Sequence, residues 1–203
     1  MRNLIYDIVD LLEIIFLEPF RYLDEMKEIP FAIKPISNWL FSIIAAMSVS
    51  CGMSLLSPPY TVATVGFLLF GFFANLVVMR YFPFIICLIM DFYAQSKGRT
   101  NKVSLALNFS RHMVLCFSLF GPISLILVSF GVYGRGYGIL LLIVNFMLYT
   151  FFVGRGIKYI YDLKDRDAFR FAYYGLFLTA GFPMIFNLYT ATSILQSFAG
   201  GDF

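Results

Sequence analysis

Residues whose types and spacing could support catalysis are few in this chain. A hydrolase would need a serine nucleophile with a histidine base, a zinc-binding HExxH motif, or paired aspartates within its apolar segments. The single histidine, His112, stands beside Arg111, and none of the long apolar runs contains an aspartate. The cysteines lie at unrelated spacings in apolar surroundings, at Cys51, Cys87 and Cys116, which is typical of small buried side chains with free thiols. We therefore expect no enzyme, no catalytic residue, no metal site and no cofactor.

Four polar side chains at the edges of the apolar runs are the strongest candidates for a binding site. They are Arg80, Asp91, Arg111 and His112. Ionisable groups close to hydrocarbon are energetically costly, so they commonly have a function. Together they could bind a lipid phosphate, an anionic substrate or the carboxylate of a partner. The alternative is that Arg80 only extends its charge to the lipid headgroups, and that His112 hydrogen-bonds to a carbonyl or phosphate rather than transferring protons.

The first 30 residues hold a second candidate, an acidic face on an amphipathic helix. Apolar side chains recur there with helical periodicity, and Asp7, Asp10, Glu13 and Glu18 belong to the polar face. Seven of the chain's twelve acidic residues lie in this segment, although the negative cytoplasmic leaflet disfavours an acidic face. In one interpretation, the apolar face packs on the bundle or the bilayer edge while the acids face water or the protein's own basic loops. In the other, the acidic face docks a basic protein partner. The same acids argue against a cleavable signal peptide.

Five apolar runs follow this segment and determine the expected fold. They cover residues 39–56, 61–79, 113–130, 137–153 and 171–190, each close to the ~20 residues that cross a bilayer. With 60% hydrophobic and 13% charged residues, the chain departs from the composition of soluble domains. We predict an all-α polytopic membrane bundle with five transmembrane helices. An N-terminal amphipathic arm covers residues 1–38, and the transmembrane domain covers 39–203.

The Lys and Arg residues lie between these runs with an alternation that predicts the orientation. From the N-terminal arm to the C-terminal tail, successive flanking segments carry 4, 0, 5, 1, 5 and 0 of them, counting Arg80 with the third. Because basic residues stay on the cytoplasmic side, the pattern places the N-terminus in the cytoplasm and the C-terminus outside. The net charge of +3 comes from these basic loops and argues little for nucleic acid.

The second crossing has two possible courses, because apolar residues continue past Arg80 to Met90. One continuous, tilted helix would place Arg80 inside the membrane domain. Alternatively, the helix leaves the membrane near Arg80, where Pro83 favours a kink. We expect this segment to protrude into the cytoplasm beside the N-terminal arm.

Prolines predict breaks elsewhere. Pro19 is expected to start a second helix of the arm, since proline is tolerated in a first turn. Pro30 and Pro35 are expected to separate the arm from the first crossing, and Pro122 lies within the third.

Small and amide side chains predict contacts between the crossings. Serine and alanine recur at four-residue spacing in the first one, a pattern that favours a close and internal packing seam; the residues are Ser42, Ala46, Ser50 and Ser54. Asn75, Asn145 and Asn187 stand in three different crossings, where they could hydrogen-bond between helices.

The layout resembles the Yip domain family, the Ypt/Rab-interacting membrane proteins and their bacterial relatives. The resemblance rests on the arm Glu18-Pro19-Phe20-Arg21-Tyr22-Leu23, five crossings, Phe120-Gly121-Pro122, and Asp167-Ala168-Phe169-Arg170-Phe171-Ala172 before the last crossing. It implies a role in membrane organisation, trafficking or assembly through protein contacts. The chain lacks the long hydrophilic N-terminal region and the DLYGP-like motif of eukaryotic members, which argues against small-GTPase binding and favours a prokaryotic inner membrane.

Two functional hypotheses follow. In the first, the chain is a non-enzymatic scaffold, adaptor or subunit of a membrane protein complex, with membrane lipids and a protein partner or a second copy of itself as partners. In the second, it is a small permease or a component that handles lipids or anions. A transporter would normally show broken helices in repeats or carboxylates at mid-membrane, and no internal repeat is found.

Overall fold

The structure is a computed structural model that describes residues 4–18, 20–21, 33–58, 60 and 62–181. Within these residues the fold is entirely helical and contains no strand. The helices are α1 (Leu4–Phe16), α2 (Ile33–Leu55), α3 (Val62–Ser96), α4 (Val103–Met113), a 3₁₀ helix (Val114–Leu119), α5 (Phe120–Ser129), α6 (Arg135–Tyr161), α7 (Asp165–Leu176) and a π-helical turn (Phe177–Gly181).

Four helical segments in the described part of the chain are long and apolar enough to cross a membrane. They are Ile36–Leu55, Thr64–Ser96, Val103–Ser129 and Arg135–Tyr161, with mean hydropathies between 1.5 and 2.0. The predicted all-α membrane bundle is confirmed, and these segments match the first four predicted crossings. The fifth apolar run begins within α7, and residues 182–203 lie outside the described part.

Several helices extend beyond the apolar runs at one end of the bundle. Here α3 continues to Ser96 and α6 to Tyr161, and the connections 97–102 and 162–164 carry Lys97, Arg99 and Lys102 among their residues. We call this end the basic end. At the opposite end, the backbone N–H of Gly134 donates to the carbonyl of Leu56, which ties the turn before α6 to the end of α2.

Helix α3 is one continuous helix of 35 residues, or about 52 Å. Pro83 lies inside it without ending it. The exposed apolar surface of α3 also continues beyond Arg80, along one stripe that includes Tyr81, Phe84, Ile85, Leu88 and Phe92. The structure therefore shows that α3 continues past Arg80 and Pro83 without a break, with Arg80 near its midpoint.

The third crossing is interrupted by the 3₁₀ helix immediately before Pro122. A proline has no N–H, so the carbonyl four residues earlier, that of Ser118, loses its helical partner. Ser48 of α2 supplies the replacement: its Oγ donates to the Ser118 carbonyl at 2.7 Å and accepts from the N–H of Gly121 at 2.8 Å. A neighbouring serine thus satisfies the carbonyl freed by proline and binds a second backbone group at the break, as membrane helices require.

The predicted small-residue seam of α2 is internal. Ser42, Ala46 and Ser50 are buried, and Asn75 of α3 donates to Ser50 Oγ at 3.0 Å. The expected bond between crossings is therefore present for Asn75. Asn145 instead donates to the Leu141 carbonyl of its own helix, and Asn187 lies outside the described residues.

Close packing of α6 depends on a glycine. A Cβ atom at Gly156 would overlap the ring of Phe109 on α4, so glycine lets these two helices approach. Aromatic rings fill the adjacent core, where Phe82 of α3 lies 5.0 Å from Phe146 and 5.3 Å from Tyr149 between ring centroids.

Helix α1 packs its apolar face on the bundle. Leu11 and Ile14 are buried, and the ring of Phe16 meets Phe152 of α6 edge-on at 5.2 Å. The expected helix after Pro19 and the break at Pro30 fall outside the described residues. Pro35 does not separate the arm from the first crossing, because α2 already begins at Ile33 and holds Pro35 in its first turn, where proline is tolerated.

Candidate anion-binding site

Arg80 is held between two helices by an aromatic ring. Its guanidinium carbon lies 4.4 Å from the ring centroid of Trp39 on α2, within the range of a cation–π interaction. Arg80 is half-buried. The contact with the ring orients the guanidinium and uses none of its N–H groups.

Arg111 reaches the same place from α4. It lines an open cavity of about 320 Å³ together with Arg80, Tyr81 and Phe84. The structure thus brings together two of the four candidate residues, although 31 positions separate them along the chain. We refer to Arg80 and Arg111 as the arginine pair.

Both members of the arginine pair have a buried N–H group without a hydrogen-bond partner among the described residues. The atoms are Arg80 Nη1 and Arg111 Nε. The ion pairs found in the described part of the chain join other residues. Asp91 is also the only acidic residue between positions 29 and 161. Two cationic side chains line the cavity, and its lining in the described part of the structure contains no acidic residue, so the cavity is suited to an anion.

Asp91 is not part of this cavity, contrary to the predicted four-residue cluster. It lies about 16 Å further along α3, at 1.5 Å per residue. Its buried carboxylate accepts bonds from the Tyr161 hydroxyl, from Gln95 Nε2 at 2.6 Å and from the backbone N–H of Lys102 at 3.3 Å. Asp91 therefore joins α3, the loop before α4 and the end of α6, which is a structural role.

His112 also points away from the arginine pair, towards α2. Its Nδ1 lies 2.6 Å from the carbonyl oxygen of Asn108, and its Nε2 lies 2.9 Å from Ser37 Oγ. Because a carbonyl only accepts, a neutral ring carries its proton on Nδ1 and accepts at Nε2. The bond to a carbonyl agrees with the simpler of the two predictions for His112.

Ser37 is a neighbour of His112 that sequence reasoning missed, because 75 residues separate them. A serine hydroxyl beside a histidine nitrogen resembles a nucleophile and its base. Both side chains have no exposed surface, and neither lines the cavity at the arginine pair. We therefore interpret the pair as a polar bond between helices α2 and α4.

The acidic residues of the arm lie apart from the arginine pair. Asp10 and Glu13 are exposed on α1, and Glu18 forms an ion pair with Arg21 three residues later. The side chain of Asp7 lies outside the described part of the structure. The arm therefore presents at least two acids to solvent while its apolar face packs on the bundle.

The cysteines form no disulfide: Cys87 and Cys116 are buried, and Cys51 is half-buried. Within the described residues, no three His, Cys, Asp and Glu side chains come together in a way that could hold a metal ion.

Comparison of the chain with protein-family models, curated proteins and solved structures found no match.

Proposed function

We propose that the protein is a non-enzymatic membrane protein that binds an anionic lipid headgroup at the arginine pair. The observation that carries this proposal is the convergence of two guanidinium groups on one open cavity, each with a buried N–H that lacks a partner among the described residues. Guanidinium groups match the geometry of phosphate oxygens through charge-assisted hydrogen bonds.

The surroundings of the cavity favour a lipid over a soluble ion. Tyr81 and Phe84, which line the cavity, are 62% and 42% exposed, and Ile85 and Leu88 continue the same apolar stripe. In a membrane helix this surface faces acyl chains. A headgroup at the arginine pair would place its own chains along this stripe.

The proposed orientation places the basic end in the cytoplasm, as the alternation of Lys and Arg residues predicts. The arginine pair would then face the cytoplasmic leaflet, where anionic lipids are concentrated. A prokaryotic inner membrane and a role in membrane organisation, as in the Yip domain family that the chain resembles, fit this proposal.

The test is lipid binding by the purified full-length chain, measured by native mass spectrometry with an anionic and a zwitterionic lipid of equal chain length. We expect R80Q and R111Q each to weaken binding of the anionic lipid about tenfold, because each removes a charge-assisted bond. R135Q is the matched control, since Arg135 is exposed at the opposite end. Wild-type affinity in both R80Q and R111Q would refute the proposal.

A second candidate function is that of an adaptor that docks a basic protein on the arm. It is favoured by the exposure of Asp10 and Glu13 on a helix whose apolar face is already buried. Charge reversal at Asp7, Asp10 and Glu13 should release a co-purifying partner while the thermal unfolding of the chain stays unchanged. The matched control is reversal of Asp162, Asp165 and Asp167 beyond α6, which changes the net charge by the same amount. An unchanged set of co-purifying proteins would argue against this candidate.

A further inference from the structure

We propose that the arginine pair selects a dianionic phosphate, the phosphomonoester class, over the singly charged phosphodiesters of common anionic lipids. This inference rests on the proposed function and narrows the ligand of the same site. It follows from the charge, the donor geometry and the surroundings of the cavity.

The charge of the site favours a dianion. Arg80 and Arg111 bring two positive charges to one cavity, and the single acid of the four helices α2 to α5, Asp91, is occupied by Tyr161 and Gln95. Half-buried like charges repel each other more strongly than they would in water. A phosphodiester carries one negative charge and neutralises only one of the two arginines. A phosphomonoester carries close to two negative charges at pH 7 and can neutralise both.

The geometry of the hydrogen-bond donors also favours a phosphomonoester. Each guanidinium presents a planar fork that can bind two oxygens, and Arg80 and Arg111 each bring one guanidinium to the lining of the cavity. A phosphomonoester offers three terminal oxygens, so two forks can bind it with one oxygen shared. A phosphodiester offers only two, so both forks must share both oxygens, which forces the two positively charged guanidinium groups closer together.

Trp39 strengthens the preference for a phosphomonoester because its ring holds the guanidinium of Arg80 in place. Its ring covers one face of the Arg80 guanidinium, which leaves the edge of the fork for the ligand. The same phosphomonoester chemistry exists in a lipid, phosphatidic acid, and in a soluble molecule, glycerol 3-phosphate. The apolar residues Tyr81 and Phe84 at the cavity give the lipid additional contacts.

The experiment is a competition assay on the purified full-length chain, with a fluorescent phosphatidic acid as the probe. Unlabelled phosphatidic acid, phosphatidylglycerol of the same chain length, and glycerol 3-phosphate are the competitors. We expect phosphatidic acid to compete at about a tenfold lower concentration than phosphatidylglycerol, as for one added charge-assisted bond. This ratio should fall to about one in R80Q and R111Q and stay at the wild-type value in R135Q.

The outcomes separate this inference from the proposed function. Equal competition by the two lipids in the wild type, with both weakened by R80Q, would overturn the inference and leave the proposed function intact. Competition that R80Q and R111Q do not change would overturn both. Glycerol 3-phosphate competing as well as phosphatidic acid would support the phosphomonoester class from a soluble source, and a much weaker effect would support the lipid.

One further variant and a stability measurement protect the test against misfolded protein. R80K keeps the charge at position 80 but loses the planar fork, so it should keep binding and lose most of the preference for phosphatidic acid. An R80K variant with the full wild-type ratio would overturn the geometric part of the inference. Thermal unfolding of each variant without lipid shows whether its fold is retained.

Discussion

At the scale of single residues, the site depends on side chains whose partners come from other helices. Trp39 begins the first apolar run, and the structure places its ring over the guanidinium of Arg80. The sequence could identify Arg80 and Arg111 as costly charges near hydrocarbon. It could not identify Trp39 as their neighbour, because the contact depends on how α2 and α3 are rotated about their axes.

Replacing Trp39 tests this contact. W39L should weaken binding of phosphatidic acid about fivefold, because a cation–π interaction of about 1 kcal/mol that orients Arg80 is lost. W39F, which keeps an aromatic face, should retain most of the affinity. The measurement is a lipid titration of both variants, and equal affinities for W39L and the wild type would show that the ring does not position Arg80.

At the scale of elements, the break in the third crossing shows how one helix compensates for a proline in another. The sequence indicated that Pro122 lies within a crossing, and proline rules predict a freed carbonyl at Ser118. Which group would satisfy this carbonyl was not predictable. Ser48 is one of several serines in α2, and only its place on the face towards α5 selects it.

A double-mutant cycle tests this compensation. S48A should lower the free energy of unfolding by about 1–3 kcal/mol, because it leaves the Ser118 carbonyl and the Gly121 N–H unpaired. In a P122A background the cost of S48A should be smaller, since the N–H of residue 122 can then donate to Ser118. Thermal or denaturant unfolding in detergent measures the coupling, and equal costs in both backgrounds would contradict the role given to Ser48.

At the scale of the whole molecule, the helices are longer at the basic end than the apolar runs from which they were predicted. Continuation of α3 to Ser96 and of α6 to Tyr161 brings Asp91 and Tyr161 together. From the sequence, a crossing is predicted to end where charged residues begin. In the structure, a helix continues as long as neighbouring helices pack against it.

The orientation of the molecule has its own test. Single cysteines at Ser96 and Ser129, both exposed and at opposite ends, are introduced after the native cysteines are replaced by alanine. We expect an impermeant thiol reagent to label S96C only from the cytoplasmic side and S129C only from outside, because basic segments stay in the cytoplasm. Labelling of both positions from the same side would contradict the topology.

The sequence by itself determined that this is a helical membrane protein, and it located four of its crossings. These features follow from the hydrophobic run that each segment carries alone. The sequence also identified both arginines of the candidate site. Only the tertiary structure decided that Arg80 and Arg111 share a cavity and that His112 bonds to Ser37. It also decided that Asp91 joins α3 to α6 and to the loop before α4. Those outcomes depend on the rotation and register of packed helices, which arise from side-chain fit between segments far apart in the chain.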